Sequence, residues 1–301
     1  MRLAENGASQ IWRNEVETIK IGAGNGPEVS SMACGLWRIH TMDFQKAKEF
    51  VSYAMEQGIN YFDNAAIYGS GEAELQFGRL LESDKSIRNR IVLQTKCGNL
   101  ISKDGMRYYD FSKKEIISSV ECSLRRMKTD YLDILLLHRP DALCEPEEVA
   151  EAFAELKDSG KVRWFGVSNQ NPMQIELLKK YLTVPLLINQ LQFGLAHAEM
   201  AVRNMYANTS AFTRNNFDDG VLDYCRVNGI TVQAWSPLQH GDSAGTFLNN
   251  PDFPVINKAL REMGSKYAVE PSAVAIAWIL RHPAKIIPVL GSISNSYFIL
   301  L

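Results

Sequence analysis

The sequence predicts an α/β fold, a (β/α)8 TIM barrel preceded by a β-hairpin, and three observations carry that expectation. Eight short apolar runs recur along the 301 residues. Amphipathic helical patterns fill the gaps between them. The runs are mostly continuous rather than alternating, as for parallel strands covered on both faces. Eight such strand–helix units in one chain favour a closed barrel over an open doubly wound sheet.

The predicted strands are Ala33–Trp37, Asn60–Asp63, Ile91–Lys96, Leu132–His138, Val162–Val167, Leu186–Phe193, Ile230–Trp235 and Ile286–Leu290. Phe44–Gln57 reads as a helix stopped by Gly58. Ser112–Met127 opens with Ser112 and carries Glu115 three residues on, the pattern of a capping box. Pro146–Ser159, Pro172–Tyr181, Gly220–Asn228 and Pro271–Arg281 start or stop on Pro and Gly in the manner of helices. Residues 17–32 read as a hairpin around a Gly/Asn turn. Gly22-Ala23-Gly24-Asn25-Gly26 is not followed by a helix, so the dinucleotide fingerprint fails on context. The expected organisation is a single domain over 1–301: an extension (1–16), the hairpin (17–32), the barrel (33–292) and an atypical end (293–301). The connection 195–219 is long for a compact domain and reads as either functional or a surface excursion.

Composition narrows the function. The chain is 46% hydrophobic and 22% charged, with a net charge of -2, so neither a polyanion partner nor nucleic acid is expected. Its five cysteines are odd in number, scattered and without a CxxC pair, which argues against a disulfide framework or a metal site and for a reducing, cytoplasmic setting. Residues 1–17 lack an apolar signal core, and no run approaches a membrane span. Oligomeric state is not legible.

Active sites of such barrels form at the C-terminal ends of the strands. Asp63, Lys96 and His138 end the second, third and fourth predicted strands, and Tyr68 lies in the loop after Asp63. Singly each has an ordinary explanation: a cap, a solvated lysine, a structural histidine, an anchoring tyrosine. Together they match carbonyl reduction, in which an oxygen gaining negative charge needs a proton. Tyr68 can donate it, with an adjacent Lys96 ammonium expected to lower its pKa and Asp63 to keep that ammonium charged. His138 would hydrogen-bond the substrate oxygen or relay a proton. Among the five histidines only His138 clearly ends a strand, so a metal-dependent barrel hydrolase is disfavoured.

Several segments resemble the aldo-keto reductase superfamily. They are Gly58–Gly69 with Gly71-Glu72-Ala73-Glu74 and Gly78, Leu132–Asp141 around His138, and Gly160–Asn169. His138-Arg139-Pro140-Asp141 with Gly35-Leu36-Trp37-Arg38 looks most like the bacterial YdhF-like branch. The resemblance implies reduction of aldehydes or ketones with NADPH, Tyr68 being the general acid. It implies that Ser168, Asn169 and Gln190 hold the nicotinamide carboxamide and that Trp235 stacks on its ring. Ser236, Leu238, Gly291 and Ser292 would wrap the rest of the cofactor, and Trp37 and Arg38 would line the pocket of a small carbonyl substrate. Asp133 falls at a usually structural position.

The end of the chain departs from that pattern. Ile293–Tyr297 carries no basic residue for a 2′-phosphate, and Phe298–Leu301 follows directly. The expectation is a shortened C-terminus without the last outer helix, weaker cofactor binding, and NADH left open beside NADPH. The alternative reading is a catalytically silent, cofactor-binding barrel acting as an accessory subunit.

Overall fold

The computed structural model describes residues 16–202, 220–241 and 244–291. Eight parallel strands close into a barrel: β1 (Ala33–Gly35), β2 (Tyr61–Asp63), β3 (Val92–Cys97), β4 (Leu132–Leu137), β5 (Val162–Ser168), β6 (Leu186–Gln192), β7 (Thr231–Trp235) and β8 (Ile287–Leu290). Each pairs with its neighbours in sequence, and β8 closes on β1 through Val289 opposite Ala33 and Leu290 opposite Cys34.

The continuous apolar runs are explained by burial on both faces. In β4, Ile134 and Leu136 belong to the cluster inside the barrel, whereas Leu135 and Leu137 pack into the layer between barrel and helices. Alternation along a strand is thus present but hidden, because both sides are dry.

The helices are α1 (Phe44–Glu56), α2 (Glu72–Ser83), α3 (Lys113–Met127), α4 (Pro146–Asp158), α5 (Pro172–Lys179), α6 (Glu199–Val202), α7 (Val221–Val227), α8 (Pro254–Tyr267) and α9 (Pro271–Leu280). Phe50, Phe77, Ile116, Phe153 and Ile175 carry one apolar stripe of successive helices onto the strands. At Gly78 a Cβ would stand 2.0 Å from the carbonyl oxygen of Arg126, so only glycine lets α2 and α3 approach this closely. Helices α2 and α8 and a second hairpin, Asn99–Ile101 with Arg107–Tyr109, were not anticipated from sequence.

The predicted capping box at Ser112 forms only by half. The Ser112 side chain accepts from the Glu115 N–H, but Glu115 Oε1 accepts from Ser119 and the Ser112 N–H turns to Asp110. The complete box is at Asn171 and Gln174, heading α5.

The N-terminal hairpin pairs Thr18–Lys20 with Glu28–Ser30 around a 3₁₀ turn at Gly22–Gly24. Its Ile21 and Val29 pack with Ala33, Tyr61, Val92 and Ile287, near the starts of the barrel strands, and so plug the N-terminal mouth. The opposite mouth is left for chemistry. Among the described residues no helix is long and apolar enough to cross a membrane. The expected atypical end at 293–301, Ser292, the extension up to residue 15 and most of the 195–219 connection lie outside the described residues.

Candidate active site

Strand β3 sorts its side chains by parity. Thr95 points outward and donates to the buried Glu74 (2.6 Å), which is ion-paired with Arg126 (2.7 Å). Gln94 and Lys96 point inward. Lys96 Nζ donates to Asp63 Oδ2 at 2.7 Å, to the carbonyl oxygen of Asn64 at 2.9 Å and to the Tyr68 hydroxyl at 3.1 Å. Three acceptors satisfy its three protons. Asp63 is held in turn by Gln94 Nε2 (2.5 Å) and Gln190 Nε2 (3.3 Å) on its other oxygen. Below them Gln94, Gln233 and Tyr61 form a closed polar ring across the barrel axis.

Tyr68 reaches this array because the loop after β2 is pinned to β3. The Asn64 N–H donates to the carbonyl oxygen of Gln94 and the Ala66 N–H to that of Lys96. A tight turn follows in which Gly69, Ser70 and Gly71 all have positive φ. Ser70 at φ 55° is unusual for a residue with a side chain, and strain of this kind is found at functional sites.

The expected lowering of the Tyr68 pKa by Lys96 is present but outweighed, and the phenol lies above its ordinary 10.0. Burial is the largest cause and raises it. The Lys96 ammonium opposes that rise, and Asp63 adds to it. Burial also pulls Lys96 down, but Asp63 and the Tyr68 oxygen hold it above its ordinary value, so the ammonium stays charged. The His138 imidazole is held well below its usual 6.5, first by burial and then by Lys96, Arg139 and Arg107. The arrangement is a protonated phenol, a charged ammonium and a neutral imidazole. His138 Nδ1 is buried with no hydrogen-bond partner among the described residues, and its ring meets that of Tyr68 edge-on at 5.8 Å.

The residues from β5 to β8 form the opposite wall. Asn169, at φ 59°, donates to Ser168 Oγ (2.8 Å) and to the carbonyl oxygen of His138 (3.2 Å), and accepts from Trp235 Nε1 (3.0 Å). Ser168 Oγ donates to the carbonyl oxygen of Gln190 (2.8 Å). Gln190 commits its side-chain amide nitrogen downward to Asp63 and Gln233, which leaves its side-chain amide oxygen, Oε1, as the group available to a ligand. Ser236 also adopts positive φ, and its hydroxyl donates to Gln239. A Cβ at Gly194 would lie 2.4 Å from the Pro237 carbonyl oxygen, so the loop at Ser236–Leu238 rests directly on the Gly194 backbone.

These walls enclose a cavity of about 440 Å³ at the C-terminal mouth. Asp63, Tyr68, His138, Ser168, Asn169, Gln190, Trp235, Ser236, Leu238, Gly291, Trp37 and Arg38 all line it. Lys96 lies beneath the floor, 1% exposed. Arg38 stacks on Trp37 at 4.3 Å and donates to the carbonyl oxygen of Gly291. Sequence reasoning missed Asn99, Arg107 and Arg139 in the lining. Arg139 directly follows the strand-end His138, a signal that could have found it. Asp133 is a structural bolt, pairing with Arg88 (2.8 Å) and Arg163 (3.0 Å) and accepting from the Leu93 N–H.

Comparison with known proteins agrees with this geometry. The model of the Aldo/keto reductase family matches residues 31–297. The chain is 36% identical to 6-dehydroglucose reductase of Agrobacterium fabrum, over 91% of this chain and 88% of that protein. It is 34% identical to oxidoreductase YdhF of Escherichia coli, over 90% and 86% respectively. The crystal structure of the thermostable aldo-keto reductase Tm1743 superposes with a TM-score of 0.74 at 22% identity, covering 94% of this chain and 92% of that one, which bears on the fold alone. With the barrel, the motifs and these relatives together, the chain belongs to the aldo/keto reductase family of oxidoreductases, whose general chemistry is carbonyl reduction.

Proposed function

We propose that this chain reduces aldehydes or ketones to alcohols with NADPH, Tyr68 acting as the general acid. The observation that carries the reading is the buried relay from Asp63 through Lys96 to the Tyr68 hydroxyl, with contacts of 2.7 and 3.1 Å. A phenol kept protonated by burial, but touching a fixed ammonium, can release its proton once an oxygen beside it gains negative charge. The ammonium then faces a phenolate rather than a phenol, so its stabilisation grows in the transition state. The neutral His138 would hold the carbonyl oxygen by hydrogen bonding and so fix its angle to Tyr68. The Agrobacterium relative, named for reduction of 6-dehydroglucose, supports a carbonyl substrate in this branch.

The residues present fit a nicotinamide. Unused acceptor capacity on Asn169 Oδ1 and Gln190 Oε1 lies in the cavity wall beside the Trp235 indole. Asn169, Ser168 and Gln190 would hold the carboxamide, Trp235 the ring, and Ser236, Leu238 and Gly291 the diphosphate. Bound NADPH, or NADH, supplies the hydride. Tyr68 supplies the proton, and Lys96 and Asp63 hold it in place.

The test follows nicotinamide oxidation with 4-nitrobenzaldehyde for wild type and Tyr68→Phe. Turnover that collapses in the variant supports the reading; equal rates remove Tyr68 from it. Cofactor binding with no turnover of any carbonyl favours the silent accessory barrel instead.

A further inference from the structure

We infer that the substrate carries an anionic group, a carboxylate or phosphate, read by Arg139 and Arg107. This rests on the reductase reading above and names the substrate class of that site. Among the described residues three arginines line the cavity, Arg38, Arg107 and Arg139, against a single carboxylate, Asp63. Asp63 is 2% exposed and already neutralised by Lys96. Among the described residues none of the three arginines has a carboxylate within 4 Å, although the chain as a whole carries a net charge of -2. A cationic mouth on a slightly acidic protein is a local feature, not a reflection of overall charge.

Arg38 already has a partner in the Gly291 carbonyl oxygen, where β8 meets β1. Arg107 and Arg139 are different. Arg139 follows His138 at the end of β4, and Arg107 stands on the hairpin that follows β3. They flank the proton donors, while the proposed cofactor contacts come from β5 to β8. The two guanidinium charges reach the His138 imidazole, and that of Arg139 also reaches the Tyr68 phenol, lowering the pKa of each. Arg139 lies 5.4 Å over the Trp235 ring, a contact that orients it across the mouth without neutralising it. Guanidinium groups bind carboxylate and phosphate oxygens through paired hydrogen bonds.

The experiment compares kcat/KM for matched pairs: 4-carboxybenzaldehyde against methyl 4-formylbenzoate, and glycolaldehyde phosphate against glycolaldehyde, with glyceraldehyde as a neutral polyhydroxy aldehyde. The anionic member of at least one pair should be favoured about tenfold or more at low ionic strength, and added salt should shrink the preference. Which pair responds separates carboxylate from phosphate. Arg139→Gln and the more exposed Arg107→Gln should each cut the ratio several-fold. Neutral members used as well as anionic ones, or ratios unchanged in both variants, overturn the inference. Binding of the product analogue 4-(hydroxymethyl)benzoate against its methyl ester, by calorimetry, needs no turnover. Tighter binding of the acid without any reduction would keep the anion site and sink the reductase reading; reduction with equal binding would do the reverse.

Discussion

The ammonium of Lys96 touches the hydroxyl of Tyr68 at 3.1 Å, and burial holds that phenol protonated while the same ammonium resists the effect. Lys96 therefore has its largest influence when the proton leaves. Tyr68→Phe should lower kcat by about 10²–10⁴-fold, the usual worth of a positioned acid, while nicotinamide affinity, read by tryptophan fluorescence, is retained. Lys96→Met should lose activity similarly and also stability, because Asp63 is left buried without its partner.

The direction of the Tyr68 shift sets the pH profile. The acid form persists to higher pH than a free phenol, whose ordinary value is 10.0. Initial rates of reduction should be flat from about pH 7 to pH 9 and decline only beyond the ordinary phenol range. An alkaline limb centred near pH 8 would contradict a phenol raised by burial.

His138 links stability to acid. Its imidazole refuses a proton when folded but accepts one when unfolded, below its ordinary 6.5. The contribution of this group to stability is complete above that value and is lost progressively as the pH falls below it. Urea midpoints of wild type should therefore drop more between about pH 7.5 and pH 5 than those of His138→Gln. Equal drops would show that the imidazole is not held neutral.

Gly194 is a lever on the cofactor wall. Alanine there places a methyl group 2.4 Å from the Pro237 carbonyl oxygen and must push the Ser236–Leu238 loop away. The KM for NADPH should rise several-fold in Gly194→Ala with a smaller change in kcat. An unchanged KM would detach this loop from the cofactor.

Asp133 binds two arginines and a strand N–H from a position 3% exposed. Asp133→Ala strands the Arg88 guanidinium, itself 8% exposed. Unfolding free energy should fall by about 3 kcal/mol in denaturant titrations, with chemistry at the folded site little altered.

The eight strands were legible because a parallel barrel buries both faces of each strand, which writes continuous apolar runs such as Leu132–Leu137 into the chain. The helix ends at Gly58 and Gly160 and the starts at Pro146, Pro172 and Pro271 were legible because φ preferences and missing N–H groups act locally. Helices α2 and α8 were overlooked, and the box at Ser112 was half wrong, since side chains choose partners from whatever packs nearby. Glu115 had Ser119 in reach and Ser112 had Asp110.

The linear sequence alone determined the strand order and pointed to the four residues proposed to move the proton. Asp63, Tyr68, Lys96 and His138 sit at strand ends or in the adjoining loop, and a closed barrel brings such ends to one mouth. Only the tertiary structure decided the state of those groups. Whether Tyr68 is raised or lowered depends on how much water the surrounding helices and loops exclude, and whether Gln94 meets Gln233, 139 residues away, depends on closure of the ring. The cationic mouth was likewise invisible in a chain of near-neutral charge. Burial and proximity are properties of residues far apart in sequence, and neither exists before the barrel closes.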